Sequence, residues 1–174
     1  MSPQLGTFGA WFNPSDDDDT RVRFVAEAEA LGFGTAWLGL GRRMLPDLRL
    51  VERALNATTM IVVATAIVNM WTNDAASIAE SYERIDAKHP GRFLLGVGIG
   101  HPESVNRYHS PYDTMVSYLD EPAAAVPVGR RVLAALGDRA LHLARDRAAG
   151  THPYLVVPDH THHARDVLGP GTLL

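Results

Sequence analysis

Nine consecutive residues, Ile61-Val62-Val63-Ala64-Thr65-Ala66-Ile67-Val68-Asn69, are apolar nearly throughout and mostly β-branched. A strand with one wet face alternates apolar and polar residues. A strand without alternation is covered on both faces, as in a parallel sheet flanked by helices. The neighbouring sequence agrees. Residues 74–88 place Ala75, Ile78, Ala79, Tyr82 and Ile85 at three- and four-residue spacing on one helical face, and His89-Pro90-Gly91 stops the helix. Parallel strands need crossover connections, so helices must alternate with strands along the chain.

They do. β-type runs occupy residues 5–12, 34–38, 61–69, 93–97, 131–135 and 152–157. Amphipathic runs occupy 20–31, 45–58, 74–88, 114–120, 139–148 and 159–168, with a loop over 121–127. The acidic run Asp16–Asp19 suits the positive end of the first helix, and Gly32 ends that helix. Six βα units without a linker predict a single domain over residues 1–174 with right-handed crossovers. Two architectures satisfy this pattern: an open doubly wound sheet, or part of a (β/α)8 barrel. A closed barrel takes about 250 residues, so the 174 residues here would hold about six of its eight units.

Composition narrows the chemistry. There is no cysteine, hence no disulfide, thiolate metal site or cysteine nucleophile. The net charge of −4 offers no basic stripe, so nucleic acid is not an expected partner. No apolar run approaches the ~20 residues of a membrane span and no signal-peptide pattern opens the chain, so a cytoplasmic location is expected. Of the 16 cationic residues only Lys88 is lysine, a bias expected of a GC-rich, actinobacterial genome.

Few motifs name a reaction. Gly96-Val97-Gly98-Ile99-Gly100 follows a strand, but His101 and Pro102 stand where a dinucleotide fingerprint needs glycine and a helix start. These glycines instead let a flat ligand approach the backbone at a strand's C-terminal end. Ala134-Ala135-Leu136-Gly137 runs from a strand into a helix, where exposed N–H groups can seat a phosphate; close packing alone would also explain such small residues. In His160-x-His162-His163 only His160 and His163 share a helical face, and a solvated face is favoured over a metal site. His101, at the end of the fourth strand, is the candidate catalytic residue. With no nucleophile elbow, Walker loop or zinc signature, the chemistry is expected from an organic cofactor, and no metal ligand is assigned.

Several stretches together resemble the bacterial luciferase-like family, and within it the actinobacterial oxidoreductases that use the deazaflavin coenzyme F420. They are Thr65-Ala66-Ile67-Val68-Asn69-Met70-Trp71, residues 87–98 (AKHPGRFLLGVG), Ser110-Pro111-Tyr112 with Met115 and Tyr118-Leu119-Asp120, Ala134–Gly137, His152-Pro153-Tyr154-Leu155, and Leu168-Gly169-Pro170-Gly171. The resemblance implies a TIM-type barrel, incomplete here, with a cofactor across the C-terminal strand ends. It also implies a non-prolyl cis peptide near Ala66–Ile67 behind the ring, and Asn69 at the ring or its side chain. Gly98, Gly100 and His101 would border the ring, and Ala135, Leu136, Gly137 and Arg139 would hold a phosphate. The implied reaction is hydride transfer between F420 and a small organic substrate. FMN in a monooxygenase or reductase is the alternative, and a truncated, non-catalytic remnant the third possibility.

Some residues depart from that family. Family members that oxidise alcohols often carry His or Asp just past the second strand, where this chain reads Gly39-Leu40-Gly41. Asp138 stands beside the expected phosphate, where its charge is repulsive unless Arg139 offsets it. A six-stranded open sheet also exposes two edges, from which self-association is expected, as a homo-oligomer, for instance a dimer covering them.

Overall fold

The computed structural model describes residues 4–13, 16–40, 47–100, 110–121 and 126–174. Six strands, β1 (Gly9–Phe12), β2 (Thr35–Leu38), β3 (Val62–Thr65), β4 (Val68–Asn69), β5 (Phe93–Gly98) and β6 (Arg131–Leu133), lie in one parallel sheet. Helices α1 (Asp18–Ala30), α2 (Arg49–Asn56), α3 (Ala75–Lys88), α4 (Pro111–Asp120), α5 (Asp138–Arg147) and α6 (Pro158–Leu168) connect or flank them. β1 pairs with β2, β2 with β3, and β3 with β5; β4 continues along β5, whose other side pairs with β6. Parallel bridges extend the sheet from Leu133 to Thr151 and from Gly150 to Leu173.

The strands alternate between two apolar layers. Val63, Phe93, Leu95, Val97 and Leu133 join the large layer beneath the helices. Their neighbours Val62, Ala64, Leu94 and Val132 form a second cluster, against which Leu5, Trp37, Ala149 and Leu173 pack. Residues from near both ends of the chain thus meet on the opposite face of mid-sheet strands. That requires a sheet curled about an interior, in the manner of a barrel.

Local chemistry sets the element ends as the sequence implies. Asp17 caps α1, accepting a 2.9 Å bond from Thr20 N–H, with Asp18 and Asp19 in the first turn. Asp74 caps α3 through Ser77 N–H at 2.9 Å, and Gly32 adopts φ +84° after α1.

Three expectations are corrected. The long run 61–69 is two strands, divided at Ala66 and Ile67; the peptide bond between those two residues is cis, as the resemblance implies. Residues 152–157 are not a strand; the pairing falls on Gly150 and Thr151 instead. Pro153 has no N–H to donate, Leu155 turns the chain at φ +51°, and Leu155 and Val157 point to solvent. The first strand is only Gly9–Phe12, because Gly6 takes φ +72° and packs its backbone against Gly34.

Candidate functional site

A cavity of about 1320 Å³ opens where the strands end. Trp11 and Asn13 reach it from β1, Gly39 from the end of β2, and Ala66, Ile67 and Asn69 from the junction of β3 and β4. Ile99 and Gly100 follow β5, residues 134–140 follow β6, and residues 152–155 follow the bridge at Thr151. Every contribution is C-terminal to, or at the C-terminal end of, its strand, the end at which barrel proteins place chemistry. Pro111, Tyr112 and Met115 of α4 close one side.

The sequence-derived candidates converge on this space. Ala66, Ile67, Asn69, Gly100, Ala135, Leu136, Gly137 and Arg139 all line it. Gly98 does not; it lies behind the wall, where a Cβ would stand 2.8 Å from Ala134 Cβ and 3.1 Å from Ile67 Cδ1. His101 falls outside the described residues.

Asn69 is fixed rather than free. Its Oδ1 accepts from Trp71 N–H at 2.8 Å, and its Nδ2 donates to Ile99 O at 3.3 Å, tying the end of β4 to the turn after β5. Gly100 completes that turn at φ +65°, and a Cβ there would meet Asn69 Nδ2 at 2.8 Å. At the end of β2, Gly39 O accepts from the guanidinium of Arg21, which is buried beneath it and lies 3.6 Å from Asp18.

The turn from β6 into α5 is held from outside the cavity. Gly137 is the N-cap and supplies no side chain, so the N–H groups of Asp138 and Arg139 remain for an incoming anion, while Ala140 N–H donates to Gly137 O at 2.9 Å. Asp138 does not pair with Arg139. Its carboxylate takes a 2.6 Å bond from His163 Nε2 on α6, which holds it below the usual carboxylate range. His160 Nε2 sits 2.9 Å from Leu136 O. The two histidines of one helical face thus brace the turn. Arg139 places its guanidinium 4.0 Å above the Tyr112 ring, within the cavity wall. Among the described residues, no group of three or more His, Asp or Glu side chains is arranged around a metal ion.

His152 was missed as a site residue. Its ring lies 5.1 Å from Trp37, tilted by 43°, and lines the cavity. Burial pushes its imidazole down to about 4. With a strand read over 152–157, His152 carries no signal of its own, because the strand end that precedes it is the bridge at Thr151, which only the fold reveals.

Comparison with known proteins adds the following. The family model for luciferase-like monooxygenases matches residues 5–127, well over half of the chain. No curated protein matches the sequence. Among solved structures, the coenzyme F420 dependent tetrahydromethanopterin reductase of Methanopyrus kandleri superposes with a TM-score of 0.75 at 16% identity, covering 98% of this chain and 61% of that one. Apo-MsnO8 gives 0.64 at 17% identity, covering 98% and 60%. The oxygenating constituent of 3,6-diketocamphane monooxygenase from the CAM plasmid of Pseudomonas putida, in complex with FMN, gives 0.70 at 13% identity, covering 97% and 62%. The chain therefore spans about three fifths of the length of these structures, and at such identities the likeness is one of fold. No helix among the described residues is long and apolar enough to cross a membrane.

Proposed function

The chain belongs to the luciferase-like monooxygenase family, and from that premise we propose that it is an oxidoreductase binding coenzyme F420 and exchanging a hydride with a small organic substrate. The observation that carries this reading is the convergence of Ala66, Ile67, Asn69, Gly100 and residues 135–139 on one cavity at the strand ends. At about 1320 Å³ it exceeds the 300–1,000 Å³ or so of a typical drug-sized site, leaving room for a cofactor and a substrate together.

The residues present fit such a cofactor. A flat ring would lie against the backbone at Ala66 and Gly100, which carry a methyl group and no side chain, beside Ile67. A phosphate would take the N–H groups of Asp138 and Arg139 at the start of α5, where Arg139 supplies positive charge and His163 already engages the Asp138 carboxylate. When bound, the deazaflavin supplies a carbon that takes or gives a hydride at C5. The protein's own part is orientation and exclusion of water. Asn69, locked between Trp71 and Ile99, would offer a fixed polar group to the ring or its side chain. Met115 and Ile99 would give the cavity apolar wall beside such a ring.

A second reading keeps the site and replaces the cofactor with FMN. It is favoured by one observation: Arg139 is the sole cation of the described cavity wall, whereas the acidic tail of F420 calls for several. Relatives in fold include both an F420 dependent reductase and a monooxygenase in complex with FMN. Titration of the purified chain with each cofactor, followed by fluorescence quenching, decides between them. Saturable micromolar binding of F420 supports the first reading, and of FMN the second. Binding of neither overturns both.

A further inference from the structure

Among the described residues, one side chain of the cavity wall has a buried polar atom without a partner: His152, at Nε2. Its polar neighbours in the wall are engaged, Asn69 with Trp71 and Ile99, Asp138 with His163, and Arg139 over Tyr112. A ring nitrogen shut away from water with no partner is costly, and native proteins keep few of them.

The placement of His152 is well determined by its surroundings. Its backbone N–H donates to Leu133 O at 3.1 Å. The preceding Thr151 hydroxyl donates to Leu133 O at 2.7 Å and accepts from Ala135 N–H at 3.2 Å. The following Pro153 fixes its own φ, and the imidazole leans on Trp37. Strand end, ring contact and proline thus hold the imidazole at the inner wall of the cavity. Its outer torsion has a broad energy well, so the ring can turn about the Cβ–Cγ bond with the backbone unmoved. With its affinity for a proton lowered by burial, the ring is neutral near pH 7 and carries one donor and one acceptor nitrogen.

We infer that His152 contacts the bound molecule directly, Nε2–H donating a hydrogen bond to a carbonyl oxygen of the cavity's occupant. The inference rests on the cofactor reading above and adds a recognition residue to it. The carbonyl has two sources with the same chemistry: the carbonyl-bearing ring shared by F420 and FMN, or the carbonyl of an organic substrate lying against that ring.

The test uses the whole chain as wild type, as His152→Gln, which retains a donor, and as His152→Phe, which keeps a flat ring beside Trp37 without one. Each is titrated with F420 and with FMN. Nitrogen NMR of isotope-labelled histidine in the wild type follows Nε2 in the free protein, after the cofactor, and after cyclohexanone is added as a carbonyl probe. A cofactor contact predicts about tenfold weaker cofactor binding for His152→Phe, recovery to within about threefold for His152→Gln, and an Nε2 shift on cofactor addition. A substrate contact predicts unchanged cofactor affinity in both variants and an Nε2 shift only when cyclohexanone is added. Unchanged affinity in both variants, with an Nε2 resonance that moves in neither step, overturns the inference and leaves the cofactor reading standing. A wild type that binds neither cofactor overturns both. Because the resonance is read in the wild type, a variant that folds poorly does not decide the matter.

Discussion

The hydroxyl of Thr65 makes two hydrogen bonds to one residue across the sheet: it accepts from Gly96 N–H and donates to Gly96 O, each at 2.8 Å. β3 and β5 pair at Ala64 and Leu94, and β4 and β5 resume pairing at Val68 and Val97. Between them the backbone ladder lapses at the Ala66–Ile67 bulge, and a side chain supplies both missing partners. Both residues are buried, so water cannot substitute. Thr65→Val keeps the shape and orphans two backbone groups, at a cost of about 2–4 kcal/mol. Thr65→Ser retains the hydroxyl and is expected to lose about 1 kcal/mol or less. Urea denaturation of both variants checks this, and equal stabilities would show that the hydroxyl bonds contribute nothing net.

Gly96 and Gly98 differ in what surrounds them, although both belong to β5. A Cβ at Gly96 would be driven into the Thr65 carbonyl oxygen, a backbone atom fixed by the bulge. Gly96→Ala is therefore expected to abolish accumulation of folded protein. At Gly98 the obstacles are the Ala134 Cβ at 2.8 Å and the flexible end of Ile67 at 3.1 Å. Gly98→Ala is expected to fold with a loss of about 1–3 kcal/mol, as overpacking usually costs. Soluble yield and thermal melting distinguish the two, and the reverse order would contradict this packing of β5 against its neighbours.

Much of this fold was legible because its causes are local. The cap at Asp17 and the stop at Gly32 act within one helical turn, and the unbroken apolar run from Ile61 reports burial on two faces. What escaped is non-local. Residues 152–157 have strand-like composition, yet Pro153 and the left-handed Leu155 bend them along the cavity rim. Asp138 looked repulsive to a phosphate because its partner lies 25 residues further on, at His163. Arg21 carries no sequence signal of its burial, and only the folded sheet brings Gly39 O over it. Of the cavity wall, the small residues at strand ends were recoverable from pattern and resemblance. His152 was not, since its significance lies in Trp37 beside it and the absence of a polar partner.

The pairing of Asp138 with His163 makes a prediction for anion binding. Both side chains are largely exposed, so the pair itself adds little to stability. Its effect is on the field at the start of α5. The bond from His163 lowers the carboxyl's proton affinity, so its stabilising contribution is present above the ordinary carboxyl range and is lost as pH falls through the lowered value. In His163→Ala the Asp138 carboxyl is expected to titrate higher, as carbon NMR would show. The same variant should bind the phosphate-bearing cofactor about 2- to 5-fold more weakly, and adding Asp138→Asn should restore the affinity. Restoration failing in the double variant would mean that His163 acts by bracing the turn and not through charge.

A histidine held at about 4 by burial imposes a pH dependence on stability. In the unfolded chain this imidazole takes its proton near the ordinary histidine value of ~6.5, whereas in the folded chain it resists until pH falls to about 4. Between those limits the unfolded state binds more protons, so stability must fall as pH falls. The full difference corresponds to about 3 kcal/mol, lost progressively between pH ~6.5 and ~4. His89, whose proton affinity is also lowered by burial, contributes in the same direction, so the wild-type slope alone does not isolate His152. Comparison with His152→Gln does, because that variant keeps His89 and every carboxylate. Urea midpoints measured from pH 7 to pH 4.5 should fall more steeply for the wild type, and the gap should widen toward acid. Parallel curves would mean that His152 gains its proton in the folded state as easily as in the unfolded chain, and that its ring is open to water.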